Sequence, residues 1–189
     1  MNLRVSVFGG SQPKPGDPVY QDAMLLGQLL AQAGYTVLNG GYIGTMEALS
    51  RGANEAGGQV IGVTCDEVEA WRPVKANRWV TEEWHFRTLQ ERLFALVNNA
   101  DAFLALPGGV GTLVEITLTW NLLITSVLSP RPLVLIGPGW QATVQGFLEE
   151  QGQYIPLVQC QWVSFAPDVN SAFHQLQERL SNGKLSREE

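Results

Sequence analysis

The chain has 189 residues, 45% hydrophobic and 16% charged, with 12 basic against 18 acidic side chains and a net charge of −6. That length supports one full core, and an acidic balance without any Lys/Arg cluster excludes a surface for duplex nucleic acid. Cys65 and Cys160 have no second Cys or His at metal-ligand spacing and are expected as buried thiols; no apolar run reaches the ~20 residues of a membrane span and no signal segment opens the chain, so the expected compartment is the cytoplasm.

Leu3 to Phe8 reads as a strand that ends at Gly9-Gly10-Ser11 and is followed by a Pro- and Gly-rich loop over 12–18. Tyr20 to Gly34 carries apolar residues at helical spacing, with Gly34 placed as a C-terminal cap. Tyr35 to Leu38 is a short strand ending in Asn39-Gly40-Gly41-Tyr42-Ile43-Gly44, Thr45 to Ala56 a helix, and Gln59 to Thr64 a third strand. Strands alternating with helices argue for a parallel sheet with right-handed crossovers. The pattern weakens from Cys65 to Asn77, Arg78 to Thr81 fits a short strand, and Glu82 to Asn99 fits a helix. Asp101 to Leu106 is a strand, Pro132 to Ile136 another, and Trp140 to Gln151 a helix. Trp162 to Phe165 is expected as an edge strand and Val169 to Leu180 as a closing helix. The domain is expected to span 1–182, with a polar tail over 183–189.

The chemistry concentrates in Pro107-Gly108-Gly109-Val110-Gly111-Thr112-Leu113-Val114-Glu115, between a buried strand and an apolar helical stretch from Ile116 to Val127. A glycine turn opening a helix lets the backbone approach a ligand and points free N–H groups at negative charge, so the stretch suits a phosphate. It is neither a Walker A loop nor the dinucleotide fingerprint. Its structural alternative is a capping box, with Thr112 and Glu115 satisfying orphan backbone donors. The three glycine clusters, 9–10, 40–44 and 108–111, all follow strands, and in an open parallel sheet such loops converge on one crevice. His85 and His174 lie far apart, so no His-based metal site or triad is expected. Six Trp residues, among them Trp71, Trp79, Trp84 and Trp120, serve either as stacking platforms or as packing.

In order and spacing, Phe8-Gly9-Gly10-Ser11, Gly40-Gly41, Arg92 and the 107–115 motif resemble the Lonely Guy (LOG) family, once mislabelled as lysine decarboxylases. The resemblance runs over about residues 3 to 136. It implies a three-layer, Rossmann-like α/β domain with a mainly parallel sheet, a homodimer, and hydrolysis of the N-glycosidic bond of a cytokinin-type or AMP-like nucleoside 5′-monophosphate to base and ribose 5-phosphate, without metal or other cofactor. Glu115 would then stabilise the positive charge on the sugar and orient or activate water, with Arg92 binding ligand or assisting the leaving base. On spacing alone, Arg92 reads instead as a surface arginine paired with a nearby Glu. Gly10, Ser11, Gly40, Gly41, Gly108, Gly109, Gly111 and Thr112 would bind the substrate and its phosphate. Leu93, Tyr42 and Gly44-Thr45-Met46-Glu47 depart from the family pattern. The alternative within the same superfamily is a non-catalytic binding protein or carrier for a nucleotide-like ligand, of the molybdenum-cofactor-carrier type.

Overall fold

The computed structural model describes residues 2–185. Seven strands, β1 (Arg4–Phe8), β2 (Thr36–Asn39), β3 (Val60–Cys65), β4 (Glu82–Phe86), β5 (Ala102–Ala105), β6 (Leu133–Ile136) and β7 (Ser164–Ala166), form one sheet in the order β4-β3-β2-β1-β5-β6-β7. Every pairing is parallel, so the sheet is Rossmann-like and wholly rather than mainly parallel. The helices between them are α1 (Pro18–Gln32), α2 (Thr45–Glu55), α3 (Asp66–Trp71), α4 (Leu89–Asn98), α5 (Val110–Ile124), α6 (Pro138–Gln151), α7 (Leu157–Cys160) and α8 (Val169–Leu185). Among the described residues, no helix is long and apolar enough to cross a membrane.

The period of two along each strand divides the apolar residues between two cores. Val5, Val7, Val37, Val60 and Leu104 face α1, α2 and α8, where Leu26, Leu30, Leu49 and Leu176 meet them. Phe8, Leu38, Ile61, Phe103 and Leu135 face the other way, onto Leu96 of α4, Ile116 and Leu123 of α5 and Trp140 of α6. Strands buried on both faces read in the sequence as short continuous apolar runs, which is why the central ones were legible.

Several boundaries differ from the sequence expectation. The strand expected at Arg78 to Thr81 lies one segment later, at Glu82–Phe86, and the helix expected from Glu82 begins only at Leu89. Two consecutive Glu residues suit a helix, but this edge strand half-buries Trp84 and Phe86 on one side and leaves Glu83 and His85 toward solvent, a strand alternation. Thr81 still contributes, its hydroxyl accepting from Val60 N at 2.9 Å. The weakly patterned Cys65 to Asn77 holds α3, and α7 is a further short helix. Helix α8 passes the expected end at Leu180 and runs to Leu185, while the remainder of the expected tail, 186–189, lies outside the described residues. Cys65 is buried as expected, whereas Cys160 is only half-buried because α7 sits at the surface.

Candidate functional site

Strand order reverses at β1, whose neighbours are β2 on one side and β5 on the other, so the crevice beyond the carboxyl ends of β1 and β5 is where ligands bind in such sheets. The three glycine loops meet there. Gly10 N donates to Pro107 O at 3.1 Å, and Gly10 O accepts from both Thr45 N at 2.9 Å and the Thr45 hydroxyl at 3.0 Å. Fit demands some of these glycines. A Cβ on Gly108 would strike the Thr112 side chain, one on Gly40 would strike Arg92 and Met46, and one on Gly44, at φ 76°, would strike the backbone of Gly10 and Ser11. Gly109 and Gly111 differ, since a Cβ on either would meet nothing within 4 Å. Their bareness leaves open space in front of the helix start.

That start is uncapped. The first intrahelical bond of α5 is Leu113 N to Gly109 O at 3.0 Å, and no side chain caps the helix, so the N–H groups of Val110, Gly111 and Thr112 precede any acceptor. The capping box allowed by Thr112 and Glu115 does not form, because the helix begins at Val110 and puts both residues inside it. Thr112 is buried, and among the described residues its hydroxyl has no hydrogen-bond partner. With the macrodipole behind them, these groups can receive a phosphate.

Not all the expected donors are available. Gly10 N is taken by Pro107 O, and Gly41 N donates to Asn39 Oδ1 at 2.7 Å. These two glycines shape the crevice rather than offering N–H groups to it. Ser11 Oγ accepts from Arg72 Nη1 at 3.1 Å.

Glu115 sits one turn into α5 and is 8% exposed. No residue within the described part of the chain hydrogen-bonds its carboxylate, and burial raises its pKa to about 7 against the opposing pull of the Arg92 charge. Arg92 is not the surface arginine that spacing favours. It is 7% exposed, donating from Nε to Val63 O at 2.8 Å and from Nη2 to Gly40 O at 3.2 Å. Burial with two backbone acceptors fixes the guanidinium while leaving it further N–H groups.

Sequence reasoning missed the residues that hold this arrangement. Tyr42, standing where the family pattern has a glycine, is buried, and its ring lies 5.5 Å from the Arg92 guanidinium carbon. Its hydroxyl accepts from Cys65 N at 2.8 Å and donates to Cys65 O at 3.2 Å, tying the second glycine loop to the end of β3. Asn77 closes the same loop by donating to Gly41 O and Tyr42 O, each at 2.9 Å. The Asn39-Gly-Gly turn was the only local sign of such a network. Of the Trp residues, Trp120 and Trp140 are buried and donate to Gln159 O and Leu106 O, whereas Trp71, next to Arg72 at the crevice, is 75% exposed.

A family model described as the SLOG cluster4 family matches residues 2–129. The cytokinin riboside 5′-monophosphate phosphoribohydrolase of Rhodococcoides fascians is 35% identical over 135 residues, 70% of this chain and 66% of that one, so the match spans just under two thirds of that relative. A protein of the same name from Mycobacterium tuberculosis is 29% identical over 153 residues, 77% of this chain and 79% of its own. The solved molybdenum cofactor binding protein of Rippkaea orientalis superposes with a TM-score of 0.73 at 23% identity, over 94% of this chain and 97% of that one, a likeness of fold. The matched span holds all three glycine loops, Arg92 and the helix start that carries Glu115, and the chain belongs to the SLOG cluster4 family, among the relatives of the LOG phosphoribohydrolases.

Proposed function

We propose that the crevice binds a nucleoside 5′-monophosphate and that the protein hydrolyses its N-glycosidic bond to free base and ribose 5-phosphate. The observation that carries this reading is the pairing, on one helix, of an uncapped first turn with a buried carboxylate of pKa about 7 in the next turn. Phosphate rests on the N–H groups of Val110, Gly111 and Thr112 and on the Thr112 hydroxyl. The ribose then lies along the helix toward Glu115. As the C1′–N bond breaks, its electron pair leaves with the base and positive charge builds on the sugar, which the carboxylate stabilises. Water adds to C1′, Glu115 takes its proton and returns it to the departing nitrogen, so the sum is nucleotide plus water to base plus ribose 5-phosphate. A carboxyl whose pKa lies near neutrality can both accept and release that proton. Arg92, held in place by Gly40, Val63 and Tyr42, keeps part of the Glu115 population ionised.

Incubation with a panel of nucleoside monophosphates, scored for base and ribose 5-phosphate, tests the reaction; calorimetry with AMP against adenosine tests the phosphate seat. AMP binding without turnover of any nucleotide would favour a carrier. One observation leans that way: Arg92 spends two of its nitrogens on backbone acceptors, leaving fewer donors for a substrate. We also propose a homodimer, supported by the exposed apolar side of the first turns of α5 at Val110, Leu113 and Val114. Sedimentation at micromolar concentration should give the mass of two chains, and a one-chain mass would exclude it.

A further inference from the structure

Glu69 of α3 and Glu83 and His85 of β4 come together at the free edge of the sheet, with one ligand atom from each lying within 4.8 Å of the others. His85 Nδ1 is 3.7 Å from Glu83 Oε1 and 3.9 Å from Glu69 Oε1. The other ring nitrogen, Nε2, is 2.9 Å from Asp66 Oδ1. A carboxylate can only accept, so Nε2 carries a proton directed at Asp66; the surrounding carboxylates raise the pKa of His85, and in the neutral ring the Nδ1 lone pair faces the two Glu side chains.

Hydrogen bonding does not close this group. Thr64 Oγ1 lies 2.8 Å from His85 Nδ1 and 2.5 Å from Glu83 Oε1, but it has a single proton to give to the two. Glu69 is more telling: its side chain is only 10% exposed, Lys75 takes Oε2, and Oε1 is buried without any hydrogen-bond partner. With the ring neutral, His85 Nδ1 and Glu83 Oε1 therefore share one hydroxyl proton, and Glu69 Oε1 receives none. An unsatisfied buried carboxylate oxygen is costly unless something positive sits beside it.

We propose that Glu69, Glu83 and His85 bind a divalent transition-metal ion of the Zn2+ type. An ion about 2.1 Å from each ligand allows at most about 4.2 Å between two of them; both His85 distances meet that limit, and the two Glu oxygens, within 4.8 Å of each other, meet it with a side-chain shift of at most about 0.6 Å. An imidazole with two carboxylates suits a borderline ion rather than Mg2+ or Ca2+, and three protein ligands leave a position for water. Asp66 is the outer carboxylate that orients a ligating histidine. Glu83 and His85 are about two-fifths exposed, which gives the ion a path in.

Such an ion would act structurally. Helix α3 buries no residue of its own and is held by polar contacts, among them Glu67 Oε2, which accepts from Leu89 N at 2.8 Å. Bridging Glu69 to β4 fastens α3 to the sheet edge, and the residue after α3 is Arg72, which holds Ser11 at the crevice. The site is thus separate from the reaction centre but linked to one wall of it.

The test uses the full chain, stripped with EDTA and dialysed, then titrated with Zn2+ by calorimetry at pH 7.5, with Co2+ absorption to identify ligand type. One ion per chain is expected, with oxygen and nitrogen ligation and no thiolate charge-transfer band, and with a rise in Tm on saturation. Glu69→Gln and His85→Gln should each weaken binding at least tenfold, and Asp66→Asn roughly 10- to 100-fold, while Tm in EDTA stays close to that of the parent. Absence of saturable binding, a thiolate band, or unchanged affinity in the Glu69→Gln and His85→Gln variants would each overturn the site. A Glu69→Gln variant more stable than the parent in both EDTA and Zn2+ would show a merely strained carboxylate, and would overturn it equally.

Discussion

Helices α4 and α5 begin in opposite ways. At α4, Thr88 Oγ1 accepts from Glu91 N at 3.2 Å and Glu91 Oε2 accepts from Thr88 N at 3.0 Å, a complete capping box, and Leu89 N donates to Glu67 Oε2 at 2.8 Å. At α5, Gly109 occupies the cap position, no side chain reaches back, and Glu115 lies buried a turn further on. Both stretches carry the Thr-x-x-Glu pattern, at 88–91 and at 112–115. One has its first donors met by side chains; the other leaves them for an anion. A helix start without its cap, inside a crevice, is the local cost of a binding site.

The sharpest way to break this contrast is Glu115→Gln. If the carboxylate supports the transition state, kcat should fall by ~10²–10³, equivalent to ~2–4 kcal/mol, with ligand affinity little changed. Wild-type activity should rise with pH to a plateau, with an apparent pKa near the value of about 7 set by burial. The stability effect runs in the other direction. The folded pKa of about 7 exceeds the usual 4.5, so between those values the folded chain holds more protons and stability falls as pH rises, the full penalty being present above 7. That penalty is on the order of 3 kcal/mol, and Glu115→Gln should raise Tm more at pH 8 than at pH 5. A Gln variant with undiminished turnover would reduce Glu115 to a buried structural group.

Gly111→Val probes the open helix start itself. The position is helical and a Cβ there meets no protein atom, so the fold should hold, with Tm within a few degrees of the parent. The branched side chain would stand where the phosphate rests, and calorimetry should find the preference for AMP over adenosine lost, at least tenfold in Kd, or ~1.4 kcal/mol. Retention of that preference would place the phosphate elsewhere.

The smallest effect belongs to the capped helix. Thr88→Ala should cost about 1 kcal/mol of stability, read by denaturant unfolding, and leave AMP affinity unchanged. If Thr88→Ala altered nucleotide binding, the two helix starts would not be as separate as their hydrogen bonds make them.

Much of the architecture was legible because the central strands are short apolar runs punctuated by glycine turns, and because strands alternating with helices leave few topologies. The edge resisted: β4 opens with two exposed residues, Glu82 and Glu83, on opposite faces, and its strand character lies in Trp84 and Phe86 packing on neighbours distant in sequence. Arg92 resisted for a similar reason, since its acceptors, Val63 O and Gly40 O, lie 29 and 52 residues away.

By itself the sequence determined which chemical groups stand at the turns: the bare glycines at 109 and 111, the hydroxyl of Thr112 and the carboxylate of Glu115, spaced to open and line a helix after a buried strand. Tertiary structure alone decided what those groups are. Whether Thr-x-x-Glu caps a helix depends on where the helix begins, which packing against the sheet sets; α4 starts beside its Thr and α5 two residues before its own. The Glu115 proton likewise belongs to its surroundings, because desolvation by the packed core and the field of Arg92 are summed over residues that meet only when the chain is folded.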